Sequence, residues 1–331
     1  MKHTVTILFF AGIAVFTAIL GYYGVSEITC ALSQAGMGLV IVTASHFLPL
    51  LLDSMAWRPL LFRSDRRPGL TQLLKARWIG ESINSLLPAA QIGGDFVRAR
   101  MLTQLDVPGH VAGASVVTEL TVSVITQVIF TLMGIVCLLI MGQNSMAWTA
   151  LAGTAILFLL TAGFIVAQRF GMWRRMVGIL AALGGEKKFE ALCVRAEALD
   201  KAVMEIYANR TALAISIAFR LAGWIAGVVE VWIALLVLDA PVGLPQAFML
   251  ESLGQAVRAA AFIIPGAIGF QEGGFILLGR LAGLGPEISL SLSLAKRVRE
   301  LSLGIPGLIY WQAQEGAPIM NRLRTILKNR I

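Results

Sequence analysis

Leu86 to Asp95 reads LLPAAQIGGD, and in the second half of the chain Ile263 to Glu272 reads IIPGAIGFQE. In both stretches a proline follows two aliphatic residues and an acid stands seven residues after it, Pro88 with Asp95 and Pro265 with Glu272. A second proline comes about twenty residues later, at Pro108 and Pro286, and opens a long apolar run with charge inside it: Glu119 in the first copy, Lys296 to Glu300 in the second. Short apolar arms interrupted by Pro and Gly do not make simple spanning helices. They make broken hairpins, tolerated at membrane depth where freed carbonyls line a cavity. Their recurrence at about half the chain length marks an internal duplication.

Composition fixes the solvent. Of 331 residues, 57% are hydrophobic and 14% charged, with a mean hydropathy of +0.78. A soluble domain carries about a quarter charged residues, so lipid must cover much of this surface. The net charge of +8 is explained by Lys and Arg facing anionic headgroups from cytoplasmic loops, and nucleic acid is excluded as a partner. Cys30, Cys137 and Cys193 are far apart, without metal or redox spacing. The apolar run after Lys2 and His3 has no small-x-small cleavage site and reads as an uncleaved first helix.

Six segments are long and apolar enough to span: 4–24, 38–60, 111–141, 148–168, 211–238 and 287–311. Basic residues gather at Arg63 to Arg77, at Arg169 to Lys201 and at Arg322 to Arg330, whereas the loops around Glu27, Asn144 and Asp239 have none. The positive-inside rule then places both termini in the cytoplasm of a bacterial inner membrane. The stretch 186–207 reads as an amphipathic helix on the inner face.

The expected fold is therefore an all-α polytopic membrane protein, with about six spanning helices plus two broken or re-entrant hairpins in an inverted repeat. The first repeat covers 1–141, two helices, hairpin 78–105 and a third helix. The second covers 148–311, two helices joined by a cytoplasmic connection 169–208, hairpin 245–284 and the last helix. A basic cytoplasmic tail, 312–331, follows.

Ionisable groups at membrane depth cost at least ~2.5 kcal/mol at a helix centre and mark function by default. Lys296, Arg297, Arg299 and Glu300 sit near the middle of the last span, where Glu300 can pair with Lys296 four residues away or Arg297 three away. Glu272, Asp95 and Glu251 are the acids that can balance the excess, and Arg258 and Arg98 extend the cationic set. Guanidinium groups suit a phosphate-bearing headgroup; a buried network that only locks the helices together is the competing reading. Asp95 and Glu272 either cap half-helices or hold a coupling proton as a pair. Asn84, with Glu81, can touch a headgroup. Pro88, Gly93, Gly94, Pro265, Gly266 and Gly269 are helix breaks or hinges. Arg220 and Glu230 are ten apart and call for partners on other helices, Asp53 reads as an interfacial anchor, and Trp57, Trp78, Trp173 and Trp311 as an aromatic belt.

Enzyme signals are thin. His3, His46 and His110 have no metal spacing, and neither a P-loop nor a Gly-x-Ser-x-Gly elbow occurs. No catalytic residue, metal or cofactor is expected.

The stretch from Asn84 through LLPAAQIGGDFVRAR to Arg100, together with FIIPGAIGFQEGG from Phe262 to Gly274, resembles the signatures of the lysylphosphatidylglycerol synthase transmembrane-region family, flippase-like proteins of bacterial inner membranes. The resemblance covers nearly the whole chain, and length and tail are most like the hopanoid-biosynthesis-associated branch. It implies lipid translocation or trafficking, of a hopanoid or an anionic phospholipid. It points to Asn84, Pro88, Gly94, Asp95 and Arg98 in the first hairpin and Pro265, Gly269 and Glu272 in the second. Some relatives carry a synthase domain; these residues contain none, so lysyl-lipid synthesis is not carried over. The alternatives are a membrane-embedded headgroup-modifying enzyme, with Asp95 and Glu272 as its acid–base pair, and a scaffold that gathers lipid-synthesis enzymes.

Overall fold

The computed structural model describes residues 36–64, 67–87, 93–184, 190–261, 264 and 267–328. Among them every regular element is a helix: α1 Gly38–Ser45, α2 Phe47–Trp57 with a 3-10 turn over Arg58–Leu61, α3 Leu70–Leu86, α4 Gly93–Thr103, α5 Gly109–Ile140, α6 Asn144–Arg169, α7 Met172–Gly184, α8 Glu190–Ala208, α9 Arg210–Val237, α10 Leu244–Ala260, α11 Phe270–Leu281 and α12 Pro286–Lys328. The span expected at 4–24 lies outside the described residues.

Four stretches are long and apolar enough to cross a membrane: Gly38–Leu61, Gly109–Ile140, Asn144–Arg169 and Arg210–Val237. They coincide with four of the expected spans to within a few residues. The sixth, 287–311, does form a helix within α12, but its cluster of charges sets it apart from the apolar four. The helix also continues beyond 311 to Lys328, through residues expected to form a tail. The protein buries a charged network between its apolar clusters and turns much apolar surface outward. Only 11% of the apolar window of α6 is buried, and Ile156, Phe158, Leu159 and Leu160 all point outward. Such a surface is stable only against lipid.

Local chemistry explains the breaks. Leu87 precedes Pro88 and is extended (φ −100°, ψ 145°), because the proline ring excludes the helical region for the residue before it. Pro108 is the N-cap of α5 and Pro286 opens α12, where a missing N–H costs nothing.

The two halves pack by one plan. In the first, α2 meets α3, α3 meets α4 and α4 meets α5; in the second, α9 meets α10, α10 meets α11 and α11 meets α12. The halves then exchange contacts, α3 against α12 and α10 against α5, while α2 and α9 face each other. Each exchange is sealed by glycine and serine. A Cβ on Gly134 of α5 would lie 1.9 Å from Ser252 Oγ of α10, and one on Gly307 of α12 would lie 2.1 Å from Ser82 Oγ of α3. Small residues allow this approach in the absence of a hydrophobic drive between helices.

Two apolar clusters bracket the interior. One contains Val42, Leu138, Leu235, Met249 and Leu292; the other contains Trp57, Leu73, Leu102, Ala112 and Ile206. Along α1–α2, α5 and α9 the buried charges fall between residues packed in these clusters. Outside the spans, Tyr207 of α8 bridges Gln168 and Thr121, and its burial pushes the hydroxyl pKa up. Asp200 of α8 accepts from the backbone N–H groups of Trp173 and Arg174 at the start of α7, at 3.2 and 2.9 Å.

Candidate functional site

Between the apolar clusters lies a cavity of about 300 Å³, bounded by α2 and α3 from one half and α9, α10 and α12 from the other. Gly223, Gly227 and Gly304 give it room, and ionisable side chains line it. Arg220 is ten residues inside α9, about 15 Å from the helix end, so these charges sit at membrane depth.

Arg77 of α3 is the hub on one side. Its Nη2 donates to Asp53 at 2.9 Å, its Nε to Glu81 at 3.0 Å, and its Nη1 to Glu119. Glu119 of α5 also accepts from Arg98 at 2.9 Å, and Arg98 holds Asp95 at 2.9 Å. Arg220 completes this side by pairing with Asp53. Glu300 of α12 is the hub on the other side, held by Arg258, by Arg297 at 3.2 Å and by Arg299 at 3.6 Å. Arg297 also reaches Glu272 at 3.1 Å, Arg299 reaches Glu230, and Lys296 reaches Glu251. His46 joins the two sides, with Nδ1 2.8 Å from Glu230 and Nε2 3.7 Å from Glu81. Eight carboxylates thus meet seven permanent cations and one histidine. Their mutual pairing is what makes burial tolerable, since an isolated ion in this setting costs several kcal/mol.

The expected site residues divide into two shells. Asn84, Glu251, Arg258, Arg299 and Glu300 line the cavity. Asp95, Arg98, Glu272, Lys296 and Arg297 stand behind it, each bonded to a residue of the network. Asp95 and Glu272 do not bond to each other; each has its own arginine. Glu272 in addition accepts from the Gly269 N–H at 2.7 Å, so the capping reading describes it. Gly269 at φ 83° adopts the left-handed turn that starts α11. Asn84 Oδ1 accepts from the Gly94 N–H at 2.8 Å and closes the first hairpin. Gly94 serves close approach, since a Cβ there would lie 2.0 Å from the Gly80 carbonyl oxygen. Gly93 is the first residue of α4, whereas Pro88, Pro265 and Gly266 lie outside the described residues.

Several expectations change. Glu272, Asp95 and Glu251, the acids expected to balance the cations, do pair with Arg297, Arg98 and Lys296, but other pairings differ. Lys296 pairs with Glu251 of α10, not with Glu300. Asp53 is a member of the network, not an interfacial anchor. Trp57 is fully buried, donates to Ser115 at 3.2 Å and lies under the Arg98 guanidinium at 4.3 Å; Trp78 donates to the Leu303 carbonyl at 2.8 Å. Trp57, buried in the core, does not belong to an interfacial belt. Arg220 and Glu230 do find partners on other helices, α2 and α12. Sequence reasoning missed His46 and Arg77. The signal for His46 was a lone polar ring within an apolar run. Some polar atoms have no protein partner, among them Asp53 Oδ1 and Arg220 Nε at the cavity and Arg297 Nη2 behind it.

A polytopic helical bundle with four stretches apolar enough to cross a membrane, and a buried ionic cavity between two matched halves, is a membrane protein. The profile of the lysylphosphatidylglycerol synthase TM region matches residues 7–307, and the chain belongs to this family. It is similar to a UPF0104 membrane protein of Methanothermobacter thermautotrophicus, 23% identical with 98% of this chain and 100% of that protein covered. A second UPF0104 membrane protein, of Pyrococcus horikoshii, is 18% identical, with 92% of this chain and 94% of that protein covered. No solved structure matches the chain.

Proposed function

We propose that the protein moves a lipid headgroup through the central cavity while the tails stay in the bilayer, and that it does so in a cytoplasmic membrane with both termini inside. The observation that supports this is the ion-lined cavity of about 300 Å³ at membrane depth, a volume at the low end of ligand pockets and a placement that serves no apolar purpose. The matched packing of the two halves adds to it, since repeats that rock against one another around a midplane site are a common transport plan. In this reading the repeats are inverted and the lipid leaves chemically unchanged.

A charged or zwitterionic headgroup suits this lining, because it can exchange with one of the protein's own ion pairs. A nearly uncharged hopanoid would open those pairs without replacing them. Arg258 is the most exposed guanidinium of the Glu300 hub, 19% by side chain, and in this reading it takes the headgroup. Its loss leaves Glu300 with Arg297 and Arg299. Mass spectrometry of lipids that co-purify with the wild type and with Arg258→Gln tests this. A lipid class enriched over bulk membrane and lost in the variant is expected. Identical bulk-like lipid in both, or a lipid of changed mass after incubation, contradicts it.

A further inference from the structure

We propose that His46 is a proton-binding site inside the membrane, and that one proton taken up there and released accompanies each headgroup that passes. This rests on the transport reading. The geometry of the ring is the first argument. His46 sits at the junction of α1 and α2 with a carboxylate at each nitrogen, Glu230 Oε2 at 2.8 Å from Nδ1 and Glu81 Oε2 at 3.7 Å from Nε2. A neutral imidazole donates from one nitrogen and aims a lone pair from the other, whereas the imidazolium donates from both. Two carboxylates facing the two nitrogens suit the cation.

Charge is the second argument. The charged groups that share the cavity with His46 are Glu81 and Arg77 from α3, Glu230 and Arg220 from α9, Arg299 and Glu300 from α12, Glu251 and Arg258 from α10, and Asp53 from its own segment; of these, Glu81 and Glu230 pair with the ring. Within the whole buried cluster of described residues, eight carboxylates stand against seven permanent cations. With all eight carboxylates ionised, a proton on His46 makes the cluster neutral; without it, one negative charge remains in a low-dielectric interior that penalises net charge.

Position is the third. Glu81 lies on the first arm of the first hairpin and Glu230 on a helix of the other half, so the imidazolium ties the halves together across the cavity. The Glu81 side chain is 37% exposed and that of His46 21%, which gives a proton a way in to Nε2. The proton comes from water on one face. When it leaves to water on the other, Nε2 presents a lone pair to Glu81, the tie opens, and α3 and α9 are free to move apart.

Two measurements test this on the full-length protein. The chain has three histidines, His3, His46 and His110, so ¹⁵N-histidine NMR in nanodiscs resolves them, with His46→Gln identifying the signal. An imidazolium pattern at neutral pH is expected in the wild type, giving way to a neutral ring in Glu230→Gln and in the milder Glu81→Gln. A wild-type ring that stays neutral from about pH 6 to 8 overturns the proposal. In proteoliposomes with a fluorescent phosphatidylethanolamine analogue, one proton per lipid shifts the steady-state transbilayer ratio about tenfold per unit of pH gradient. His46→Gln should abolish the shift. Lipid movement indifferent to the gradient overturns the coupling and leaves the transport reading standing. No lipid movement at all defeats the transport reading, and the NMR result then decides the proton site alone.

Discussion

Removing the Glu119 carboxylate should be the most damaging single change on the Arg77 side of the cavity. Glu119 is 2% exposed and binds two guanidinium groups at once, Arg77 through Oε1 and Arg98 through Oε2. It thereby fastens α5 to both arms of the first hairpin. Breaking a buried pair by deleting one partner costs about 3–5 kcal/mol, because the other charge is left uncompensated. Arg77 would keep Asp53 and Glu81, and Arg98 would keep Asp95, which sets Glu119→Ala near the lower end, about 3 kcal/mol. At roughly 2–4 °C per kcal/mol, the unfolding midpoint in detergent should fall by roughly 6–12 °C. Glu119→Gln keeps the volume but turns an amide donor toward a guanidinium, and should fall between the two. Glu197, whose pair with Arg174 is 3.8 Å long and whose side chain is 64% exposed, is the control; its Ala variant should stay within about 0.5 kcal/mol of wild type. The assay is fluorescence-detected thermal unfolding of the purified protein, scored by the monodisperse fraction. A Glu119→Ala midpoint within 2 °C of the control, on the order of 1 kcal/mol or less, would refute the claim that paired charge holds the interior.

Gly94→Ala should cost more than ~1–3 kcal/mol of overpacking, since the obstacle is the Gly80 backbone, whereas Gly153→Ala, with nothing within 4 Å, should be neutral or stabilise by up to about 1 kcal/mol; comparing thermal midpoints checks both. Glu272→Ala should destabilise the protein, since the carboxylate both accepts from the Gly269 N–H and holds Arg297, a loss of about 1 kcal/mol from the capping hydrogen bond alone. Unchanged stability in that variant would remove the capping role. Replacing Lys296 and Glu251 together by Met and Leu should be tolerated better than either single change, as expected for a buried pair; a double-mutant cycle with no coupling would contradict the contact.

Much of the fold was legible because its signals are local. A proline that opens a helix announces itself, and α5 and α12 begin where Pro108 and Pro286 said they would. Span lengths followed from apolar runs, as for 211–238 against Arg210–Val237. The two proline–acid spacings point to a duplication, and helix contacts run in the same order in the two halves. Pairing was not legible, because ion pairs across a bundle join residues far apart in sequence. Lys296 had a tempting acid four residues away and chose Glu251. Asp53, near the end of an apolar run, reads as an anchor until α3 and α9 bring Arg77 and Arg220 to it. His46 carried no pattern of its own; only the fold puts Glu230 and Glu81 at its two nitrogens.

A cavity that passes a lipid headgroup must speed the exchange of phospholipid between the leaflets. The direct measurement is transbilayer movement of a fluorescent phospholipid in proteoliposomes, read by dithionite quenching, with wild type and Arg258→Gln reconstituted at equal density and equal thermal stability. Wild-type vesicles should lose the protected fraction of fluorescence, and Arg258→Gln should slow this at least about tenfold, on the order of one strong charge-assisted contact. Equal rates in the two proteins, or a wild type no faster than protein-free vesicles for every phospholipid headgroup tried, would contradict the transport reading.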